Sequence, residues 1–156
     1  MGALFWAMTE YLSELYQEIL LDHHKRPRNF HALDGTTHQA DGHNPLCGDE
    51  VTVFLRVEAG TLAEVTFQGQ GCAISRASAS ILTERLRGKT REEAQAMGAE
   101  VLRLLRESDG TFDLERDGDL AALSGVRQYP ARIKCATLPW HAALNALAGK
   151  GKATTE

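Results

Sequence analysis

Val51-Thr-Val-Phe-Leu-Arg-Val57 and Thr61-Leu-Ala-Glu-Val-Thr-Phe67 are two β-branched runs separated only by Glu58-Ala59-Gly60. Such residues suit a pleated, half-buried surface, and a short connection containing glycine folds two such runs back on each other. The spacing predicts an antiparallel hairpin, and Gly35 to Ala40 predicts a third, weaker strand before it. Beyond the hairpin the period changes. After the Gly69-Gln-Gly71 break, Ile74, Ala77, Ile81, Leu82 and Leu86 recur at helical spacing, and Gly88 ends the run. Thr90 and Glu93 then form a T-x-x-E capping box ahead of Ala94, Met97, Val101, Leu104 and Leu105. Strands followed by a run of helices predict an α+β fold, a small antiparallel sheet of about three strands packed against several helices.

Working outward, Leu12, Leu15, Tyr16, Ile19 and Leu20 place a first helix over Thr9 to His24, stopped by Lys25-Arg-Pro27. Residues 25–50 are rich in His, Asn, Asp, Gly and Pro and are too long for an idle connector. Ser108 to Val126 reads as a loop, with Asp109, Asp113, Asp117 and Asp119 among Gly110, Gly118 and Gly125, and one helical turn at Leu120 to Leu123. The last helix is expected to begin near Cys135, because Pro139 is tolerated in a first turn, and to end about Ala148. A single domain over 9–149 follows, with 1–8 and 150–156 as flexible termini.

The chain has 156 residues, 43% hydrophobic and 24% charged, which suits one globular domain with a core large enough to need no disulfide. Seventeen Lys and Arg against 21 Asp and Glu give a net charge of -4. That balance argues against a nucleic-acid partner, whose phosphates would be met by a basic surface. No run of about 18 apolar residues is present to span a membrane. The opening Met1 to Met8 is apolar but lacks the basic start and the length of a secretory signal. With an odd number of cysteines, the expected compartment is the reducing cytoplasm, where thiols more often bind metal or react than pair.

Cys47, Cys72 and Cys135 lie 25 and 63 residues apart, so spacing alone is a weak metal signal. Their settings say more. Cys47 enters the first hairpin strand within Pro45-Leu-Cys-Gly-Asp49, and in an extended segment side chains two apart share a face, so Cys47 and Asp49 could bind one ion. Cys72 immediately precedes a helix, where unpaired N–H groups favour a thiolate. Cys135 is expected at the start of the last helix. The plain alternative is packing, since free cysteine is among the most buried residue types. If the three thiolates and Asp49 meet, they form an S3O set suited to tetrahedral zinc or to iron with sulfide. Arg132 and Lys134 could offset its negative charge, or simply mark a solvated helix entrance. His23, His24, His31, His38, His43 and His141 show no clear i, i+4 pairing, and a surface or hydrogen-bonded role is expected for each ahead of ligation. Trp140 reads as core or interface.

Four segments in order carry a resemblance: Leu15-Tyr-Gln-Glu-Ile19 with His23, Lys25, Arg26, Pro27, Arg28 and Asn29; Asn44-Pro-Leu-Cys-Gly-Asp49; Gly69-Gln-Gly-Cys-Ala-Ile-Ser75 with Ala77, Ser78 and Ser80; and Arg132-Ile-Lys-Cys-Ala136. The chain resembles the IscU/NifU-type iron-sulfur assembly scaffolds, and within them the SufU branch. Two features point to that branch. Lys134 stands where Isc-type scaffolds look to place a histidine before the third cysteine, and about twenty residues around Ser108 to Val126 look like an insertion.

The resemblance implies a zinc-dependent sulfurtransferase. It implies Cys47, Asp49, Cys72 and Cys135 as zinc ligands, Cys47 as acceptor of persulfide sulfur, and Arg132 as a residue orienting or stabilising the thiolate. Its implied partners are a SufS-type, pyridoxal-phosphate cysteine desulfurase and a downstream iron-sulfur assembly complex. The alternatives are a scaffold carrying an iron-sulfur cluster and a structural zinc module.

Overall fold

The computed structural model describes residues 2–107, 112 and 114–154, with backbone alone at 2–13, 114–115, 128 and 152–154. The predicted hairpin is its centre: β2 (Asp49–Glu58) and β3 (Thr61–Gln70) pair antiparallel, with Val53 opposite Phe67 and Leu55 opposite Val65. β1 (His38–Asn44) pairs antiparallel with β2, completing the expected three strands. It lies further along the chain than expected. Gly35 sits in a left-handed conformation at φ +75°, which is turn geometry, so the strand starts only after it. Ala40, Gly42 and Asn44 then alternate inward.

Among the described residues, five α-helices and a 3-10 helix accompany the sheet. α1 spans Gly2–Lys25, α2 Ala73–Leu86, α3 Arg91–Arg106, α4 Leu114–Asp117 and α5 Pro130–Leu147, with the 3-10 helix at Gly118–Gln128. The capping box forms as predicted: Thr90 Oγ1 accepts from the Glu93 N–H, and the Glu93 carboxylate accepts from the Thr90 N–H.

Four expectations change. α1 begins at Gly2 rather than Thr9, since Ala3 to Met8 contains nothing that breaks a helix. Much of the expected loop is helical, because Leu120, Ala121, Ala122, Leu123 and Val126 bury themselves against the other helices; Asp109, Gly110 and Asp113 lie outside the described residues. α5 starts one proline earlier than expected. Pro130, not Pro139, takes the first turn, and Pro139 lies inside the helix. Finally, Lys152–Thr154, expected within a flexible terminus, forms β4, parallel to β1, giving the sheet order β3-β2-β1-β4. The edge of β1 otherwise presents unpaired backbone groups.

The helices pack on one face of the sheet around Trp140, Leu55, Leu62, Ile81, Leu82 and Leu138, each essentially inaccessible to solvent. Full burial of a leucine side chain stabilises by roughly 1.5–3 kcal/mol, so this cluster is the main driving force of the fold. Trp140 belongs to the core. Its indole N–H donates to Ser78 Oγ at 3.1 Å, and the Ser78 hydroxyl donates to the Ala136 carbonyl at 2.6 Å, leaving no orphaned donor. These bonds tie α2, which follows Cys72, to α5, which carries Cys135. Among the described residues no helix is long and apolar enough to cross a membrane.

Candidate metal centre

β1 and β2 are joined by Pro45 to Gly48, so Asn44 and Asp49 face each other as the last pair of the ladder. The inward phase of the strands buries both completely, while Cys47 at the loop tip is exposed. Asp49 also opens β2 beside the end of β3. There the backbone of Gly71 runs so close that a Cβ on it would collide with Asp49 Oδ1 and lie 3.0 Å from Asp49 Cα. Only glycine permits that approach.

One residue on, Cys72 is the N-cap of α2. Its sulfur accepts from the Ser75 N–H at 3.5 Å, and its own N–H donates to Asp49 Oδ1 at 2.8 Å. The expected helix-entry setting of this thiol is therefore present.

Cys135 arrives differently from expectation. It stands in the second turn of α5, not at its start, and is buried. The positive end of α5 is consequently occupied by Ala131 and Arg132. Pro139 has a separate effect: it lacks the N–H that an α-helix would bond to the carbonyl of residue 135.

These segments bring the thiols and carboxylate together. Ligand atoms of Cys47, Asp49 and Cys135 all lie within 4.8 Å of one another. Cys135 Sγ is 3.4 Å from Cys47 Sγ, with all three cysteines free. Cys72 Sγ joins from the side, 4.0 Å from Asp49 Oδ2. Burial pushes the Cys135 thiol far up, and its hydrogen bonds with Asp49, Cys47 and Cys72 push the same way. The Arg132 guanidinium is raised in turn, chiefly by charge on Cys72, then by its hydrogen bond with Cys135 and by charge there.

The donor set suits a metal ion. Asp49 is a fully buried carboxylate, yet none of the ion pairs among the described residues includes it. Buried charges need a partner or a metal. Cys47, Asp49 and Cys135 form a group able to hold an ion; Cys72 lies outside that group, with its sulfur 4.0 Å from Asp49 Oδ2, and thiols with a carboxylate are donors of the kind zinc and iron take.

Asn44 is a member of this site that sequence reasoning missed. Its Nδ2 donates to Asp49 Oδ2 at 3.4 Å and to Cys135 Sγ at 3.6 Å. The signal was available: with a period of two, Asn44 falls in phase with Ala40 and Gly42, which makes it an inward-facing polar residue.

A second cluster of potential ligands, His23, Glu84 and Asp119, lies elsewhere. His23 is buried and already satisfied, with Nε2 2.7 Å from Asp119 Oδ2 and Nδ1 2.7 Å from Ser80 Oγ. It is the hydrogen-bonded histidine that was expected, and it fastens α1 to α2 and the 3-10 helix.

Residues 15–136 match the family model of the NifU-like N terminal domain. Over 133 residues the chain is 40% identical to the zinc-dependent sulfurtransferase SufU of Bacillus subtilis (strain 168), covering 84% of this chain and 88% of that protein. Over 136 residues it is 35% identical to the iron-sulfur cluster assembly scaffold protein IscU of Streptococcus pyogenes serotype M1, covering 87% of this chain and 84% of that one. Among solved structures it is similar to a protein of Fervidobacterium islandicum AW-1 described as an assembly scaffold candidate for the SUF system. That similarity has a TM-score of 0.76 and 32% identity over 83% of this chain and 94% of that one.

Proposed function

The chain belongs to the family of NifU-like N-terminal domains, and from that premise we propose that it serves iron-sulfur cluster assembly as a zinc-dependent sulfurtransferase, accepting persulfide sulfur on Cys47. The observation that carries this reading is the unequal hold on four converging ligands. Cys135 and Asp49 are buried in a helix and a strand, and Cys72 caps a helix, whereas Cys47 is exposed on a four-residue loop. Cys47 can therefore swing outward while the other three keep their places.

Zinc bound here would hold the thiols deprotonated at neutral pH. The remaining work falls to the chain's own residues. The Cys47 thiolate attacks the outer sulfur of the donor's cysteine persulfide. A new S–S bond forms at Cys47, the donor's S–S bond breaks, and the donor cysteine departs as its thiolate. Arg132, in the first turn of α5 and coupled electrostatically to all three thiols, favours anionic sulfur at the site. The donor of matching chemistry is a SufS-type cysteine desulfurase, and the Cys47 persulfide passes to a downstream iron-sulfur assembly complex. Three free cysteines suit the reducing cytoplasm.

The test combines metal analysis of freshly isolated protein with desulfurase turnover. About one zinc per chain is expected from the four-ligand count, together with stimulation of a cysteine desulfurase that Cys47→Ala abolishes. A second reading, a scaffold on which a cluster is built, is favoured by the name of the streptococcal relative. Iron and acid-labile sulfide in place of zinc would support it. Zinc without stimulation would reduce the site to a structural module.

A further inference from the structure

Asn44 is fully buried at the end of β1, in a position where an amide must find partners for both its N–H groups and its carbonyl. It finds all of them at the centre. Its carbonyl Oδ1 accepts the Leu46 N–H at 3.3 Å. That bond fixes the orientation of the amide, because only oxygen can accept there. Nδ2 must then point the other way, where Asp49 Oδ2 lies at 3.4 Å and Cys135 Sγ at 3.6 Å. One side chain thus grips the loop bearing the exposed thiol with one end and two buried ligands with the other.

We propose that Asn44 is a positioning residue of the metal centre, donating to the Asp49 carboxylate and the Cys135 sulfur so that these two stay as fixed ligands while Cys47 remains the one that leaves. The inference rests on the zinc reading above. Its physical basis is that N–H donors aimed at a ligand atom draw off part of its charge and hold its direction, and losing such a partner typically costs roughly 10- to 100-fold in metal affinity. The 3.6 Å distance suits sulfur, whose lone pairs are diffuse, while 3.4 Å to the Asp49 oxygen is long for an N–H···O bond, so the amide stands beside the ligands rather than among them.

Two variants separate the functions of the amide. Asn44→Asp preserves size and still offers an oxygen to the Leu46 N–H, but it replaces both N–H donors with negative charge. Asn44→Ala removes both ends. The measurements are zinc affinity by chelator competition and the thiolate-to-metal charge-transfer band of the cobalt(II)-loaded protein. The expected result is that both variants lose zinc affinity about 10- to 100-fold, Asn44→Asp at least as much as Asn44→Ala. In both, the cobalt band should move to longer wavelength, because a sulfur freed of its donor is more easily oxidised. Lost affinity with an unmoved band is what packing alone would produce and overturns the donor role. Variants matching the wild type in both measurements overturn the inference while leaving the zinc reading intact. A wild-type chain that binds neither metal overturns both.

Discussion

Gly71 shows how a residue with no side chain shapes a charged one. Its backbone lies against Asp49, and the space a Cβ would need is filled by the carboxylate. Gly71→Ala must therefore push Asp49 aside or move the start of α2, and overpacking of this kind costs roughly 1–3 kcal/mol. We expect the variant to fold with a lowered melting temperature and to lose zinc affinity more than tenfold; calorimetry and chelator competition measure the two. An alanine variant with wild-type affinity would show that Asp49 is not held by that contact. At this scale Cys47, Asp49 and Cys72 stood out because their chemistry is unusual and glycines flank them, whereas Cys135 has no glycine beside it and stood out by its thiol alone. Asn44 did not, because an asparagine before a proline reads first as a turn residue.

Helix α5 shows where legibility failed at the level of elements. Pro130 and Pro139 are both permissible helix starts by local rules, and the packing of Ile133 against the core favours the earlier one. β1 was displaced for a similar reason, since His38-Gln-Ala-Asp-Gly-His-Asn44 has no β-branched residue and is a strand only because β2 pairs with it. The hairpin and the capping box needed no such help, being specified by neighbours within a few residues.

α5 also meets α3 through Arg106, whose Nη2 lies 2.7 Å from His141 Nε2. Burial lowers the pKa of His141 below its ordinary 6.5, and the Arg106 charge lowers it further. Between the folded and unfolded values the unfolded chain binds more protons, so stability rises with pH across that window. This contribution is complete above about pH 6.5 and is lost as the pH falls through the folded pKa. Urea unfolding between pH 7.5 and 5 should show a shallower decline for His141→Gln than for the wild type. Equal slopes would remove His141 from the balance.

For the molecule as a whole, the centre joins the β1–β2 loop, the β3–α2 junction and α5, so whatever occupies it crosslinks the sheet to two helices. Structural zinc in small domains contributes about 10–16 kcal/mol, against about 5–15 kcal/mol for an entire domain's stability. Here a substantial core stands independently, so chelation should leave the chain folded but melting about 10 °C or more lower, given about 2–4 °C per kcal/mol at this size. Differential scanning calorimetry before and after verified metal removal checks this, and an unchanged melt would show that the centre does not brace the fold. The α+β architecture was readable from the order of strand and helix patterns. The clasp of Lys152–Thr154 on β1 was not, because a three-residue strand has no pattern of its own and exists only through its partner.

Helix α5 supplies both the last thiol and the indole at the middle of the core, and it is synthesised after the segments that carry Cys47, Asp49 and Cys72. At about 5–20 residues per second, the stretch from Cys72 to Leu147 takes several seconds to synthesise. Throughout that interval the nascent polypeptide holds Cys47, Asp49 and Cys72 with neither Cys135 nor Trp140 to close over them. Completion of the thiol set and sealing of the hydrophobic interior thus wait on one and the same helix.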